Sequence, residues 1–478
     1  MTKTRILNPT RFPSPKPLRG GGDANFMEQL LLHCATAIDS NDAALTHQIL
    51  WVLNNIAPPD GDSTQRLTSA FLRALLSRAV SKTPTLSSTI SFLPPADELH
   101  RFSVVELAAF VDLTPWHRFG FIAANAAILT AVEGYSTVHI VDLSLTHCMQ
   151  IPTLIDAMAR RLNKPPPLLK LTVVSSSDDF PPFINISYEE LGSKLVNFAT
   201  TRNITMEFTI IPSTYSDGFS SLLQQLRIYP SSFNEALVVN CHMMLRYIPE
   251  ETLTSSSSSL RTVFLKQLRS LNPRIVTLIE EDVDLTSEGL VNRLKSAFNY
   301  FWIPFDTTDT FMSEQRRWYE AEISWKIENV VAKEGAERVE RTETKRRWIE
   351  RMREAEFGGV RVKEEAVADV KAMLEEHAVG WGMKKDDDDE SLVLTWKVTD
   401  STAPNDIIGP QYGNDIDPVR LPSCPSHLDF STAKTAVWWD VDSCRLPEGF
   451  DPYQLDNIET VIFQHVNTTD EINIAREL

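Results

Sequence analysis

Between residues 137 and 280, short runs of β-branched and aliphatic residues alternate with stretches whose apolar positions recur every three or four residues. That alternation leaves few architectures open, because strands joined through helices pair in parallel and need both sheet faces covered. The first run, Thr137-Val138-His139-Ile140-Val141-Asp142, ends in an acid, as expected of a buried strand reaching the carboxyl edge of a sheet. Further strands are expected over 168–174, 205–211, 236–240 and 274–280, with helices over 152–162, 188–200, 219–228 and 260–271. The predicted class is α/β, a doubly wound parallel sheet.

Ahead of that sheet the pattern is helical. Phe26, Leu30, Leu31, Cys34, Ala35 and Ile38 form one apolar stripe, and 43–56 continues in that style until Pro58-Pro59-Asp60-Gly61-Asp62 breaks it. Helices are expected over 67–80, 102–111 and 116–132 as well. Residues 25–132 are thus a helical cap region and 133–397 the α/β core, preceded by a disordered leader over 1–24. Residues 337–356 hold six acids and seven bases whose charges nearly cancel, which reads as solvated helix faces with local ion pairs. Lys345-Arg346-Arg347 within it is a short basic run of the kind used for nuclear import. A helix is expected over 367–377 and a strand over 392–396. Residues 398–430 read as linker, 435–441 as a strand and 455–466 as a helix.

Composition narrows the function classes. With 46 bases against 64 acids in 478 residues, the formal charge is −18, which disfavours non-specific binding to nucleic acid or anionic membrane. The five cysteines, at 34, 148, 241, 424 and 444, are scattered and contain no C-x-x-C pair. That usage suits a reducing compartment. The N-terminus has no apolar core of a secretory signal, and the apolar stretch 119–132 is too short to span a bilayer and contains Asn125. A soluble intracellular protein is expected.

The turn after the first strand is where a doubly wound sheet would hold a nucleotide-type cofactor. Phosphate or nucleoside binding there requires glycines, so that the backbone can approach the ligand. The turn Asp142-Leu143-Ser144-Leu145-Thr146-His147-Cys148-Met149-Gln150 has none, and Leu143, Leu145 and Met149 would crowd the path. No cofactor is expected. Neither His147-Cys148 nor Cys241-His242 makes a local chelate, since adjacent residues of an extended chain point to opposite faces. No metal or catalytic set is expected either. The Glu280-Glu281-Asp282 cluster lacks a histidine partner and reads as a solvated strand end. Leu72-Arg73-Ala74-Leu75-Leu76 fits Leu-x-x-Leu-Leu, a helical docking motif, although Leu72, Leu75 and Leu76 share one stripe and core packing is the favoured explanation.

These blocks carry a resemblance. Leu30-Leu31-Leu32-His33-Cys34-Ala35-Thr36-Ala37, with Gly61-Asp62 and Gln65-Arg66-Leu67, resembles the first leucine-rich region of plant GRAS proteins. Val138, His139, Ile140, Val141 and Asp142, followed by Gln150 and Pro152, resemble their VHIID motif. The run 271–280 is similar to the entry of the PFYRE region, and Leu392-Val393-Leu394-Thr395-Trp396-Lys397 to the first strand of the SAW region. The resemblance covers residues 26–397 with its blocks in family order. It implies a helical cap on a methyltransferase-like Rossmann core without enzymatic activity. It further implies transcriptional regulation in the nucleus, pairing with other GRAS proteins through the cap, and contact with DNA through zinc-finger partners.

Two departures accompany it. The antiparallel strand that the family places after Lys397 is missing, so the last hairpin is expected to be incomplete and strand 392–396 to lack a neighbour. The tail 431–478 resembles instead the opening of NYN-type endonuclease domains, in which Asp440 would be one of several metal-holding acids. The other ways to read the chain are a methyltransferase-like enzyme using S-adenosylmethionine and an RNA endonuclease acting through the tail. A further alternative lays 436–438 beside 392–396.

Overall fold

The computed structural model describes residues 21–82, 99–160, 167–176, 180–228, 234–250, 259–385, 390–397 and, by backbone, 460–466. The leader, the linker, the strand expected over 435–441 and Asp440 lie outside the described residues.

The chain opens with α1 (Gly21–Asp39), α2 (Ala43–Ile56) and α3 (Ser63–Lys82). Local chemistry sets their ends. The Asp42 carboxylate accepts from the Leu45 amide to start α2, and Pro58-Pro59 follows its end. A two-residue β1 (Arg101–Phe102) precedes α4 (Val104–Asp112) and α5 (Pro115–Ala131). Ser103 and Glu106 form a reciprocal capping box on α4, and Thr114 caps α5 with Pro115 in its first turn.

Alternation then sets in. The parallel strands β2 (Thr137–Ser144), β3 (Leu168–Ser175), β5 (Met206–Pro212), β6 (Glu235–His242) and β7 (Ile275–Glu281) are joined through α6 (Ile151–Ala159), α7 (Tyr188–Thr201), α8 (Ser220–Ile228) and α9 (Leu260–Arg269). A short β4 (Phe183–Ile184) pairs with β1 apart from this sheet. Helices α10 (Leu290–Thr307), α11 (Ser313–Ala332), α12 (Lys345–Glu354) and α13 (Glu364–Glu375) follow, with a two-residue β8 (Gly358–Gly359) before α13. The sheet is completed by β9 (Trp381–Lys385), β10 (Ser391–Trp396) and β11 (Thr460–Val466), in the order β5-β3-β2-β6-β7-β11-β10-β9. The α/β class, the parallel sheet and the helical layer are as the sequence indicates.

Three corrections follow from this topology. Strand β10 does have neighbours, since it pairs antiparallel with β9 on one side and with β11 on the other. The segment expected as a helix over 455–466 instead supplies β11, because Thr460-Val461-Ile462-Phe463 is a β-branched and aromatic run whose short pattern fits either period. The helical layer is not contiguous in sequence. Helices α10 and α11 lie against α1 and α3, so residues after the parallel strands close the bundle that residues 25–132 begin.

That bundle consumes the leucine motif. Leu72 and Leu75 are buried in the core shared with α10 and α11, and Leu76 is half-buried at its margin. Leu75→Ala is expected to cost roughly 2–5 kcal/mol by cavity formation, while Leu76→Ala costs clearly less. Denaturant midpoints of the two variants check this; equal midpoints would argue that Leu75 is not core.

Candidate functional site

The strand order reverses between β2 and β6, so the crevice beyond their carboxyl ends is where a sheet of this type binds ligands. In this protein it holds a cavity of about 40 Å³ bordered by Asp142, Ser144, Leu145, His147, Tyr188 and Phe180. Small-molecule sites need roughly 300 Å³ or more, whereas such a space admits only water. Aromatic rings take up the remainder. Phe180 stacks on Tyr247 with ring centroids 3.6 Å apart, and Tyr215 tilts against Phe180 at 4.8 Å.

Of the three bulky turn residues, Leu145 lines the cavity. Leu143 is buried in the core between the sheet and α8, α9 and α12, and Met149 is half-buried against the core on the other side. The turn is made without glycine, by His147 at φ 48° and Cys148 at φ 62°. His147 is pinned there: its Nε2 lies 2.9 Å from the Pro182 carbonyl and its Nδ1 3.1 Å from the Tyr188 hydroxyl. A carbonyl only accepts, so Nε2 carries the proton and the hydroxyl donates to Nδ1.

Asp142 is fully engaged. The Ser144 hydroxyl donates to its Oδ2 at 2.5 Å, and the Asn240 amide donates to its Oδ1 at 2.7 Å. The same Asn240 amide reaches Gln150 Oε1 at 3.1 Å, while Thr277 donates to Asn240 Oδ1 at 2.7 Å. Gln150 in turn donates to Asn125 Oδ1 at 2.9 Å, and Asn125 to Thr153 Oγ1 at 2.8 Å. Register explains this chain of bonds, for Asp142 pairs with Asn240 and Asn240 with Thr277, one polar row across three adjacent strands. Burial raises the Asp142 pKa against the bonds from Ser144 and Asn240, which pull it down. The motif residues Asp142 and Gln150 therefore tie β2, β6 and β7 to α5 and α6.

The rest of the motif is placed as follows. Val138, Ile140 and Val141 are buried in the sheet's core layers. His139 is half-buried, its Nε2 2.8 Å from the Thr172 hydroxyl, and Pro152 stands in the first turn of α6. Asn125, Asn240 and Thr277 were missed by sequence reasoning. Their signal was present: a single polar residue inside an apolar strand run such as Val238-Val239-Asn240-Cys241 needs a buried partner.

Beyond β6 lies a second polar centre, and it overturns one expectation and part of another. Glu280, Glu281 and Asp282 are not solvated; all three are buried. So are Arg338, Glu340, Glu343, Lys345 and Arg351 from the stretch read as solvated faces, which leaves Arg346 and Arg347 exposed in the basic run. Arg246, fully buried, donates from Nε to Glu280 at 2.9 Å, from Nη1 to Glu340 at 3.2 Å, and also to Glu281. Lys326 of α11 reaches Glu281 at 3.3 Å and Glu322 at 3.8 Å. A neighbouring group joins Arg351 to Glu343 at 2.7 Å and to Glu250 at 2.6 Å, and Arg261 to Glu343 at 3.3 Å. The near-cancelling charges do pair, some within the stretch (Arg351 with Glu343, Arg346 with Glu350) and others with partners far away in sequence, and that pairing permits burial.

The pKa pattern of this centre is structural. Burial would raise Glu281, but Arg246 and Lys326 outweigh it and hold the carboxyl at about 2. Burial pushes Glu322 up to about 7, with Lys326 only partly opposing. His117 is held down at about 3, chiefly by burial, and lies edge-on to His242 at 5.3 Å. Among the described residues, no group of three or more His, Cys, Asp or Glu is placed to hold a metal ion.

Fold and site together define a Rossmann-like α/β domain under a helical layer, with its ligand crevice filled by its own side chains. The model of the GRAS domain family matches residues 27–401, and the chain belongs to that family. It is 98% identical over 397 residues to Scarecrow-like protein 32 of Arabidopsis thaliana, covering 83% of this chain and 97% of that protein. Protein SHORT-ROOT of the same plant is 32% identical over 403 residues, covering 80% of this chain and 73% of that protein. The crystal structure of SCL7 in Oryza sativa matches with a TM-score of 0.61 at 23% identity, over 77% of this chain and 96% of that one, a likeness of fold.

Two outcomes test the site. Asn240→Ala leaves Asp142, Gln150 and Thr277 short of a buried partner, and is expected to cost roughly 1–3 kcal/mol for each group left unpaired. Chemical denaturation measures that loss, and a neutral result would show that the row carries no stability. The second outcome concerns pH. Glu322, raised to about 7, binds a proton more tightly folded than unfolded, so its contribution is present below about 4.5 and lost as pH rises through 7. His117 and Glu281, at about 3 and about 2, contribute the opposite slope, lost as pH falls below their unfolded values. The Tm of Glu322→Gln relative to the parent is therefore expected to rise between about pH 5 and pH 8; a constant difference would refute the raised carboxyl.

Proposed function

We propose that this chain is a non-enzymatic transcriptional regulator that acts in the nucleus through partner proteins. The observation that carries the reading is the filled crevice, whose acid Asp142 has both oxygens bonded within the protein. Family membership supports it, as do relatives named as Scarecrow-like and SHORT-ROOT proteins. With the crevice at the sheet's carboxyl edge closed to a cofactor, the outer surface is the place offered for recognising other molecules.

The partner is another GRAS protein, docked on the outer helices. Phe26 on α1 and Leu45 and Trp51 on α2 are large apolar side chains exposed by about half. Exposed aromatic side chains of this kind supply the buried anchors of protein interfaces. Contact with DNA is indirect, through zinc-finger partners, in keeping with a formal charge of −18. No described helix is long and apolar enough to cross a membrane.

Co-precipitation with co-expressed GRAS-domain proteins tests the docking surface. Trp51→Glu together with Leu45→Glu is expected to weaken capture at least about tenfold while far-UV circular dichroism stays unchanged. Capture of neither a GRAS protein nor a zinc-finger protein by the parent, with a fluorescent fusion confined to the cytosol, would overturn the reading. Calorimetry with S-adenosylmethionine at about millimolar concentration is expected to give no binding heat, and a saturable isotherm would reverse the non-enzymatic assignment.

A further inference from the structure

Strand β11 lies outside the residues matched by the family, which end at 401, yet it sits between two strands inside that match. It runs antiparallel to β7 over the whole length of that strand, from Thr460 opposite Glu281 to Val466 opposite Ile275. On its other side it pairs Val461, Ile462 and Phe463 with Val393, Leu392 and Ser391 of β10, then His465 and Val466 with Gly359 and Gly358 of β8. Strands β7 and β10 pair with β11 and not with each other.

Removing β11 would leave a strand-wide slot in the middle of the sheet, not at its margin. Every residue of β7 is buried, with Ile279 in the core layer of α5 and Val276 and Leu278 in the layer of α9 and α12. β10 is equally buried, with Leu392 and Leu394 in the first layer and Val393 in the second. Gly120 lets α5 come down on this region, for a Cβ there would stand 3.0 Å from Ile279. The backbone groups of β7 that face the slot are therefore closed off above and below. Unpaired buried amides and carbonyls are costly, so the slot demands a strand.

What the slot recognises is backbone. A partner needs about seven residues in extended form, free of proline and rich in β-branched or aromatic side chains. Thr460-Val461-Ile462-Phe463-Gln464-His465-Val466 meets each requirement. We propose that the space between β7 and β10 is a strand-acceptor site and that residues 460–466 are its donor, supplied in cis from beyond the family-matched part of the chain. The chemistry is that of strand addition, in which main-chain hydrogen bonds supply the affinity. It also removes the open edge that β10 would otherwise offer to other chains.

Hydrogen exchange read by mass spectrometry on the full chain tests the assignment. Amides of 275–281 and of 460–466 are expected to exchange at least about a hundredfold more slowly than an unpaired peptide. Exchange of 460–466 at the unpaired rate would overturn the proposal without any variant. Ile462→Pro, which a central strand cannot accommodate, is expected to speed exchange of 275–281 at least about tenfold and to lower Tm. A synthetic peptide spanning 457–468, added to that variant, is expected to restore protection. Unchanged protection of 275–281 in the variant would sink the idea. Protection of 460–466 that disappears on dilution would overturn donation in cis in favour of exchange between two copies.

Discussion

Arg246 is the residue on which the arrangement of this domain turns. It stands on the short 3-10 turn Leu245–Tyr247 that follows β6, wholly removed from solvent, and three glutamates from two different parts of the chain surround it. The backbone of the same turn is gripped from the other side, because the Arg261 guanidinium donates to the carbonyls of Arg246 and Ile248. Arg261 is itself paired with Glu343 and stacked over Trp348 at 5.5 Å. A turn held this firmly fixes its next residue, and that residue is Tyr247. The ring that lies on Phe180, and so backs a residue bordering the crevice, is placed by an ion network behind it. Closure of the site is thus a property of the whole carboxyl edge of the sheet, not of one bulky side chain.

Why charges do this work is a question of specificity against stability. An apolar cluster of similar volume would often hold the same space as well or better, since two desolvated ions regain only part of what they lose. Removing a single partner is another matter, because it strands a buried charge, at about 3–5 kcal/mol. A network of that kind tolerates one assembly and rejects near alternatives. Here it joins the ends of β6 and β7, helix α11 and the segment 338–344. Glu281 is the junction, bridged to Arg246 on one side and to Lys326 on the other.

Much of this was legible in the sequence, and the limits have physical causes. The parallel strands and the helices between them follow from hydrophobic period, and the glycine-free first turn predicts crowding by Leu143, Leu145 and Met149, of which Leu145 alone lines the crevice. Leu145 does block the space from within that turn. Phe180 borders it too, stacked on Tyr247, and nothing local in the sequence says that residues so far apart will stack. Periodicity marks an apolar face without naming what covers it, so the placement of α10 and α11 against α3 was hidden. The charged stretch 337–356 misled for a related reason. Its near-zero net charge suggested local ion pairs, which Arg346–Glu350 and Arg351–Glu343 make, but Glu340, Glu343 and Arg351 also pair with Arg246, Arg261 and Glu250, which only folding brings near. Strand β9 escaped because Trp381-Gly382-Met383-Lys384-Lys385 neither alternates nor favours strand, and it forms by pairing with β10 along its full length.

The energetics of reopening the crevice set how far this domain stands from a ligand-binding relative. Enlarging the crevice to nucleoside size would displace Phe180, which borders it, and with it the stacked Tyr247, and exposing a buried aromatic side chain costs roughly 3 kcal/mol. Two such rings cost about 6 kcal/mol, which reduces an apparent affinity by about four powers of ten. A site of nanomolar intrinsic strength would then bind at roughly 10 μM, before any cost of disturbing the turn that carries Tyr247. That turn does not move freely, because its displacement would pull Arg246 away from Glu280, Glu281 and Glu340, all buried with it. The same ion network that orders the sheet's carboxyl edge therefore also holds the crevice shut, and a single substitution of Phe180 would open space without supplying the backbone approach that a phosphate or nucleoside requires.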